Sequence, residues 1–317
     1  MRHKRQENRE DRVPVLPSPL LSGKALMDNR AHNYSHVHES AAMSGRDFRR
    51  LGDFIYSECG IKMPDGKRVM LEARLRKRLR ALGMRSYSAY CDYIFSPQGA
   101  EEEIVHMIDL VTTNKTDFFR EPKHFEYLVG TALPELISTA GAGIRKRLML
   151  WSAGCSTGEE PYTLAMVLAD FAAECRGFQF LVLATDISTR VLDKARNAVY
   201  EEEKIAPVPW EMKKKYLLRS RDRRKRLVRI VSALRETVKF RRLNFMDGDF
   251  GMRGPLDIIF CRNVIIYFDR PTQERLLNRF CGHLIDGGYV FMGHSETLHG
   301  LDVPLVQVAP TIYRKIS

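Results

Sequence analysis

Residues 151 to 162 read WSAGCSTGEEPY, a turn of small residues followed at once by two glutamates, Glu159 and Glu160. The stretch lies between an apolar run, LMLWSAG, and a segment of helical period, PYTLAMVLADFAAE. A strand, a tight turn and a helix in that order make a ligand-binding device, because the helix N-terminus offers unpaired N–H groups and a dipole that favours anions. As a dinucleotide fingerprint the match is weak, with only Gly154 and Gly158 present and Ser and Thr between them. Two carboxylates at that place would repel a pyrophosphate. They suit a ligand bearing an ammonium group, which a carboxylate holds while small residues let the backbone pass close to it.

The next apolar run, FLVLATD, ends in Asp186, about 30 residues after the turn. An acid at that spacing commonly takes both hydroxyls of a ribose. Its competing role is to cap the helix that begins ISTRVLDKA, but the glutamate-bearing turn upstream favours the ribose. An adenosine-bearing ligand with an ammonium group and no phosphate describes S-adenosylmethionine. Further along, LNFMD ends a third run with Asn244, and IIFCRNVIIYFD ends a fourth with Arg262, Asn263 and Tyr267. An Asn amide reads an adenine edge or holds backbone, and Asn263 equally suits a plain turn. Methylases acting on exocyclic amines of bases usually carry an Asn/Asp-Pro-Pro-Tyr/Phe tetrad at this strand end, and CRNVIIYF is not one.

These residues need a scaffold that brings strand ends together. The runs LMLWSAG, FLVLATD, VKFRRLNF, LDIIFCRN and GYVFMGHS alternate with helical stretches, which predicts a doubly wound α/β domain of parallel strands over residues 148–317. Residues 201–236 break the rhythm with KKKYLLRSRDRRKRLVRIV, read as a small inserted β subdomain whose hairpin has a basic tip. Residues 44–113 read as an all-α domain. SGRDFRRLGDFIYSECG opens on a capping Ser44 and closes at Gly60, and DGKRVMLEARLRKRLRALG sets Leu71, Leu75, Leu79 and Leu82 on one stripe. Two further helical stretches, SYSAYCDYIFS and AEEEIVHMIDLVTT, complete that domain, and residues 114–147 supply a linker and a helix. Residues 1–43 mix Pro, Ser, Asn and His without period and are expected to be disordered, with His32, His36 and His38 solvated rather than bound to metal.

A chain of 317 residues, 44% hydrophobic, has material for two modest cores. Its six cysteines show no CxxC pair and no metal-ligand spacing, so reduced, mostly buried thiols and a cytoplasmic setting are expected. No run of 18 apolar residues occurs, and MRHKRQENREDR has no apolar segment behind it, so neither a membrane span nor a secretory signal is expected. The net charge of +12 asks for an acidic partner. Two clusters carry most of it: Lys67 to Arg85, with eight basic residues against one acid, and Arg219 to Arg242, with eleven against two.

TTNKTDFFREPKHF, WSAGCSTGEEPYTLA, ATDIS, FCRNVIIYFD and GGYVFMGHSE stand in that order and together resemble the CheR family of chemoreceptor glutamate methyltransferases. The likeness covers about residues 45 to 315. It implies a class I methyltransferase-like domain behind the helical one, S-adenosylmethionine as methyl donor with S-adenosylhomocysteine as product, and glutamate methyl esters formed on receptors during sensory adaptation. By this resemblance Asn114, Thr116 and Arg120 reach into the cofactor pocket from the linker. Glu160 takes the ammonium, Asp186 the ribose, Asn244 and Phe245 border the adenine, Arg262 with Asn263 finish the pocket, and Tyr267 lies near the methyl group. Two features depart from the family: the tail before Ser44 is longer, and the hairpin tip RSRDRRKR lacks the glycines of members that grip a receptor's C-terminal peptide.

A glutamate acceptor is already ionised at neutral pH, so its methylation requires no general base, and catalysis must come from alignment and partial removal of water. Arg120 and Tyr267 are expected to position the acceptor or the cofactor's carboxylate, and no metal is expected. The acceptor is suggested by the helix near residues 67–85. Lys67, Arg74 and Arg78 fall along one flank of its leucine stripe and Arg76 with Arg80 along the other, a complement to an acidic receptor helix. Reversal of Arg74 and Arg78 to Glu is expected to raise KM for receptor without touching cofactor affinity. A solvated basic face with no partner is the competing view. The partners expected are the cytoplasmic methylation helices of receptors in membrane-bound arrays, met by a monomer with no nucleic acid and no membrane insertion. Two other functions compete. A nucleic-acid methyltransferase is favoured by the basic hairpin but opposed by the missing tetrad and the lack of interleaved aromatics. A non-catalytic adaptor sensing S-adenosylmethionine is opposed by the presence of Arg120 and Tyr267.

Overall fold

The computed structural model describes residues 42–252 and 254–316. Residues 1–41, with His32, His36 and His38 among them, lie outside these. The first helix, Gly45–Cys59, starts where Ser44 Oγ accepts from Asp47 N at 3.0 Å and ends where Gly60 turns left-handed. A short turn, Asp65–Lys67, leads into Arg68–Ala81, and three smaller helices follow: Tyr87–Ile94, Pro97–Glu102 and Ile104–Val111. Phe48, Leu51 and Ile55 meet Leu71, Leu75, Leu79, Tyr87 and Tyr90 in one core, with Leu82 half-buried at its edge. The expected stripe therefore faces its own domain. Met43, read from sequence as the last residue of the tail, is fully buried in this core instead, and its carbonyl accepts from Arg68. Its apolar side chain is enough to pull the chain inward one residue before the cap.

The linker continues into helices Lys123–Tyr127 and Leu133–Ala140 and then into the sheet. Strand β1 (Leu148–Ala153) lies inside the sheet, followed by β2 (Phe180–Asp186). Three short strands, β3 (Val199–Glu201), β4 (Leu217–Arg219) and β5 (Leu227–Ile230), form a separate antiparallel sheet of order β3-β5-β4. The chain returns with β6 (Val238–Arg242), β7 (Leu256–Cys261), β8 (Leu284–Met292), β9 (Leu305–Ala309) and β10 (Ile312–Lys315). The main sheet has seven strands in the order β6-β2-β1-β7-β8-β10-β9. Its first five are parallel, as the alternating runs predict, whereas β10 joins β8 antiparallel and β9 joins β10 antiparallel. The C-terminal hairpin thus makes the sheet mixed rather than wholly parallel.

Alternate residues of β1 feed opposite faces. Leu148 and Leu150 pack with Leu164, Leu168 and Val182, while Trp151 and Ala153 pack with Phe250, Leu276, Leu277 and Phe280. Both faces are covered by helices, Glu159–Glu174 on one side and Arg270–His283 on the other, which is why β1 reads as a continuous apolar run. Complete burial of one such leucine contributes about 1.5–3 kcal/mol. The chain runs outward from β1 to β2 and β6, then crosses to β7. That reversal leaves a crevice outside the carboxyl ends of β1 and β7, where open α/β sheets bind ligands.

Candidate functional site

A cavity enclosing ≈ 1180 Å³ of non-atom space, its open mouth included, lies over those strand ends. All ten residues expected at the cofactor site line it: Asn114, Thr116, Arg120, Glu160, Asp186, Asn244, Phe245, Arg262, Asn263 and Tyr267. The helical domain contributes Cys59, Ile61, Met63, Lys67 and Met70 to the same wall. That contribution is not readable from spacing, because it depends on how one domain lies across the other.

The turn after β1 is held by β2. Gly154 N and Cys155 N both donate to Thr185 O at 2.8 Å. Gly154 has φ 84, and a Cβ there would come within 2.5 Å of Val264 Cγ2, so the position demands glycine on both counts. Residues Glu159 and Glu160 open the next helix, where successive side chains point about 100° apart. They part accordingly. Glu160 lines the cavity, with Oε1 accepting from Ser152 Oγ at 2.7 Å and Oε2 from Arg262 Nε at 2.7 Å. Glu159 lies under the loop, 1% exposed and bonded to Thr157 Oγ1 at 2.6 Å, and burial pushes its carboxyl above the ordinary range. Only one member of the pair is therefore available to a cationic ligand.

Asp186 does not cap the following helix. Ser188 does so, its Oγ accepting from Val191 N, while the two Asp186 carboxylate oxygens accept from Ser156 N at 2.8 Å and Ser188 N at 2.9 Å. Burial raises the Asp186 pKa, and those backbone N–H groups pull against it. Each oxygen keeps a free lone pair for hydroxyls in the cavity.

Arg120 is presented by strained backbone. Phe119 at φ 53 and Glu121 at φ 57 are both left-handed, at about 1–3 kcal/mol each for such residues. The Arg120 side chain makes one long bond, to Lys115 O at 3.5 Å, and its carbonyl accepts from Arg262 Nη1 at 2.7 Å. Arg262 Nη1 also stands 3.2 Å from His124 Nδ1 and 3.4 Å from Glu121 Oε2. Glu121, His124 and His294 approach one another closely enough to hold a metal ion. The Arg262 guanidinium already supplies the positive charge on two of them. Burial first, then Arg262 and His294, push the His124 pKa down to about 3, so His124 is neutral and accepts from the guanidinium.

Asn244 borders the cavity, but its Nδ2 donates to Glu58 O at 2.6 Å and its Oδ1 accepts from Met246 N at 3.0 Å. Its amide joins the end of the first helix to the sheet. Two more links run alongside, Lys62 N to Tyr267 O at 3.1 Å and Tyr56 Oη to Asp269 Oδ2 at 2.7 Å.

The five basic residues assigned to receptor contact separate into three groups. Lys67 lines the cavity, its Nζ 5.7 Å from the centre of the Tyr267 ring. Arg74, Arg76 and Arg78 are engaged at home: Arg74 with the carbonyls of Val111 and Thr112, Arg76 with Glu72 at 3.0 Å, and Arg78 with the buried carboxylate of Glu103 at 2.7 Å. Arg80 is exposed and, among the described residues, has no side-chain partner. Reversal of Arg74 and Arg78 would therefore disturb the fold before it reported on docking, which corrects the expectation attached to that pair.

Sequence reading also assigned no role to Glu296, the acid of GHSE. Its buried carboxylate accepts from four backbone N–H groups, of Gly293, Asn263, Val264 and Ile265. The six cysteines are free, five of them buried, as expected.

Two buried acids, a turn without Lys or Arg, and an apolar wall of Cys59, Ile61, Met63, Leu243 and Phe245 suit S-adenosylmethionine in charge and polarity. Residues 114–313 match the family described as CheR methyltransferase, SAM binding domain, and residues 46–112 match its all-alpha domain. A chemotaxis protein methyltransferase of Borreliella burgdorferi is 37% identical over 270 residues, covering 85% of this chain and 94% of its own length. Its counterpart in Escherichia coli K12 is 38% identical over 278 residues, 87% of this chain and 92% of its own. Chemotaxis protein methyltransferase 2 of Pseudomonas aeruginosa is 37% identical over 267 residues, 84% and 92%. With both domains matched and the cavity lying between them, the chain belongs to the CheR methyltransferase family.

Proposed function

We propose that this chain transfers a methyl group from S-adenosylmethionine to glutamate side chains of chemoreceptors, forming methyl esters. When bound, S-adenosylmethionine supplies a methyl group on a sulfonium, open to in-line attack by an ionised carboxylate. Glu160 would hold the ammonium beside Ser152 and Arg262, and Asp186 the ribose hydroxyls. Leu243 and Phe245 offer an apolar slot for the adenine, and Arg262 keeps Glu160 oriented. Of the cavity-lining cations outside any ion pair among the described residues, Lys67, Lys115 and Arg120, the acceptor falls to Lys67 and Arg120, each held only by a backbone carbonyl, at 3.2 and 3.5 Å. They would draw in and orient an anionic glutamate, and Tyr267 would complete its alignment. Proper alignment of reacting groups lowers a barrier by on the order of 7 kcal/mol, enough to carry a reaction that needs no base.

The observation that carries this reading is the meeting of one cavity-lining glutamate, one ribose-type aspartate and three cations outside any ion pair among the described residues, Lys67, Lys115 and Arg120, around a single cavity. Among the described residues no helix is long and apolar enough to cross a membrane, so contact with a receptor array would run through the receptor helices. A monomer suffices, since one chain supplies every residue named. With methyl-labelled cofactor, receptor membranes and RNA side by side, the label is expected on protein and to be released by base. Glu160→Gln should weaken cofactor binding about 30-fold, the loss of one charged hydrogen bond of about 2 kcal/mol. Label on RNA, or full affinity in that variant by calorimetry, would overturn the assignment.

A further inference from the structure

The segment after β7 carries Arg262, Asn263 and Tyr267, and its shape is unusual. Asn263 has φ 61 and Val264 φ −116, ψ −49, so three successive N–H groups, those of residues 263, 264 and 265, turn toward one point. Backbone curled in this way forms an anion-binding concavity. Here the anion is the chain's own Glu296: Oε2 accepts from Asn263 N at 2.8 Å and Gly293 N at 2.6 Å, and Oε1 from Val264 N at 2.8 Å and Ile265 N at 2.9 Å. The carboxylate, 4% exposed, is thus shared by two loops at the edge of the cavity.

The two ends of this segment are not equally secured. The side chain of Arg262 has anchors of its own in Glu160, the Arg120 carbonyl and His124. Tyr267 sits on the short turn Ile265–Tyr267, whose first N–H is one of those bound to Glu296; its carbonyl accepts from Lys62 N at 3.1 Å, but its hydroxyl has no partner among the described residues. We propose that Glu296 is a positioning residue for methyl transfer, its carboxylate clamping the N–H groups of residues 263–265 so that Tyr267 is held at the reacting centre. This rests on the reading that Tyr267 aligns the acceptor. Glu296 is not among the residues that line the cavity. It acts through the turn.

The test is a double-mutant cycle on the full chain with receptor membranes. Glu296→Gln keeps the shape but replaces one acceptor oxygen with an NH₂ that opposes the clustered N–H groups. It should lower kcat about 30-fold, a loss in keeping with a displacement of under about 1 Å, while receptor KM and the calorimetric Kd for S-adenosylhomocysteine stay within about threefold. In a Tyr267→Phe background the same change should cost less than about threefold, since coupled residues are non-additive. Should Glu296→Gln fail to fold, Gly293→Ala perturbs the same segment with Glu296 intact. Its Cβ would come within 2.5 Å of Asn263 Nδ2 and 2.9 Å of Asn263 N, and it should reproduce the kcat loss. Additive effects in the cycle, or a folded variant of either kind with kcat within twofold of the parent, overturn the proposal. So does a kcat loss matched by an equal loss of S-adenosylhomocysteine affinity. A Tyr267→Phe enzyme with full kcat would fail the underlying reading, and it is scored without reference to either Glu296 or Gly293.

Discussion

The two basic segments of the chain spend their charge differently. Between Lys67 and Arg85 the arginines are largely built into the helical domain: Arg78 forks onto Glu103, a carboxylate 1% exposed that also accepts from Tyr90, and Arg74 closes the end of helix Ile104–Val111. At the inserted hairpin the pairs are loose and wet. Arg219 stands 3.6 Å from Glu202, Arg226 3.1 Å from Glu203, and Arg224, 95% exposed, 3.5 Å from Asp222. Surface pairs of that kind contribute about 0–1 kcal/mol, whereas removal of one partner from a buried pair is far costlier. Formal charge therefore says little about the charge a partner can meet. In the first segment Lys67, Lys77, Arg80 and Arg85 stand outside any ion pair among the described residues and remain for that purpose.

The largest test of this contrast is Arg78→Leu. It strands Glu103 in the core and should cost about 3 kcal/mol in urea unfolding. An unchanged midpoint would show that Glu103 is satisfied without Arg78, and the contrast would fail. Next comes Arg80→Glu, which should leave the melting temperature alone and raise receptor KM about fivefold, an effect that shrinks with added salt. Equal KM at low salt would remove the outer face of this helix from receptor recognition. The smallest effect belongs to the hairpin. Arg223→Glu combined with Lys225→Glu should move stability by no more than about 0.5 kcal/mol and receptor KM by less than twofold. A larger change in KM than that of Arg80→Glu would reverse the ranking of the two segments.

Much of the fold is legible in the chain because β1, β2 and β7 are buried on both faces and so read as unbroken apolar runs. The C-terminal hairpin is not. β9 is an edge strand with Val306 and Val308 on its exposed side, so LVQVA lacks both the apolar run and a clean alternation. At the site, the expected residues of Glu160, Asp186 and the CRN segment all reach the cavity because strand ends are where such a sheet gathers its ligands. What stays hidden is set by partners distant in sequence. Nothing local distinguishes Arg78, bound 25 residues away, from Arg80, bound to nothing among the described residues. Likewise no period tells which of Glu159 and Glu160 faces the cavity, nor that Lys67 does so as well.

The links from Glu58 to Asn244 and from Lys62 to Tyr267 have a consequence for engineering. Cys59, Ile61, Met63, Lys67 and Met70 are part of the cavity wall, so a fragment beginning at Asn114 would be an open bowl rather than a smaller enzyme. For the same reason, a chimera that borrows its helical half from a relative to gain new receptors would exchange part of its cofactor wall as well, and donor affinity would travel with receptor choice.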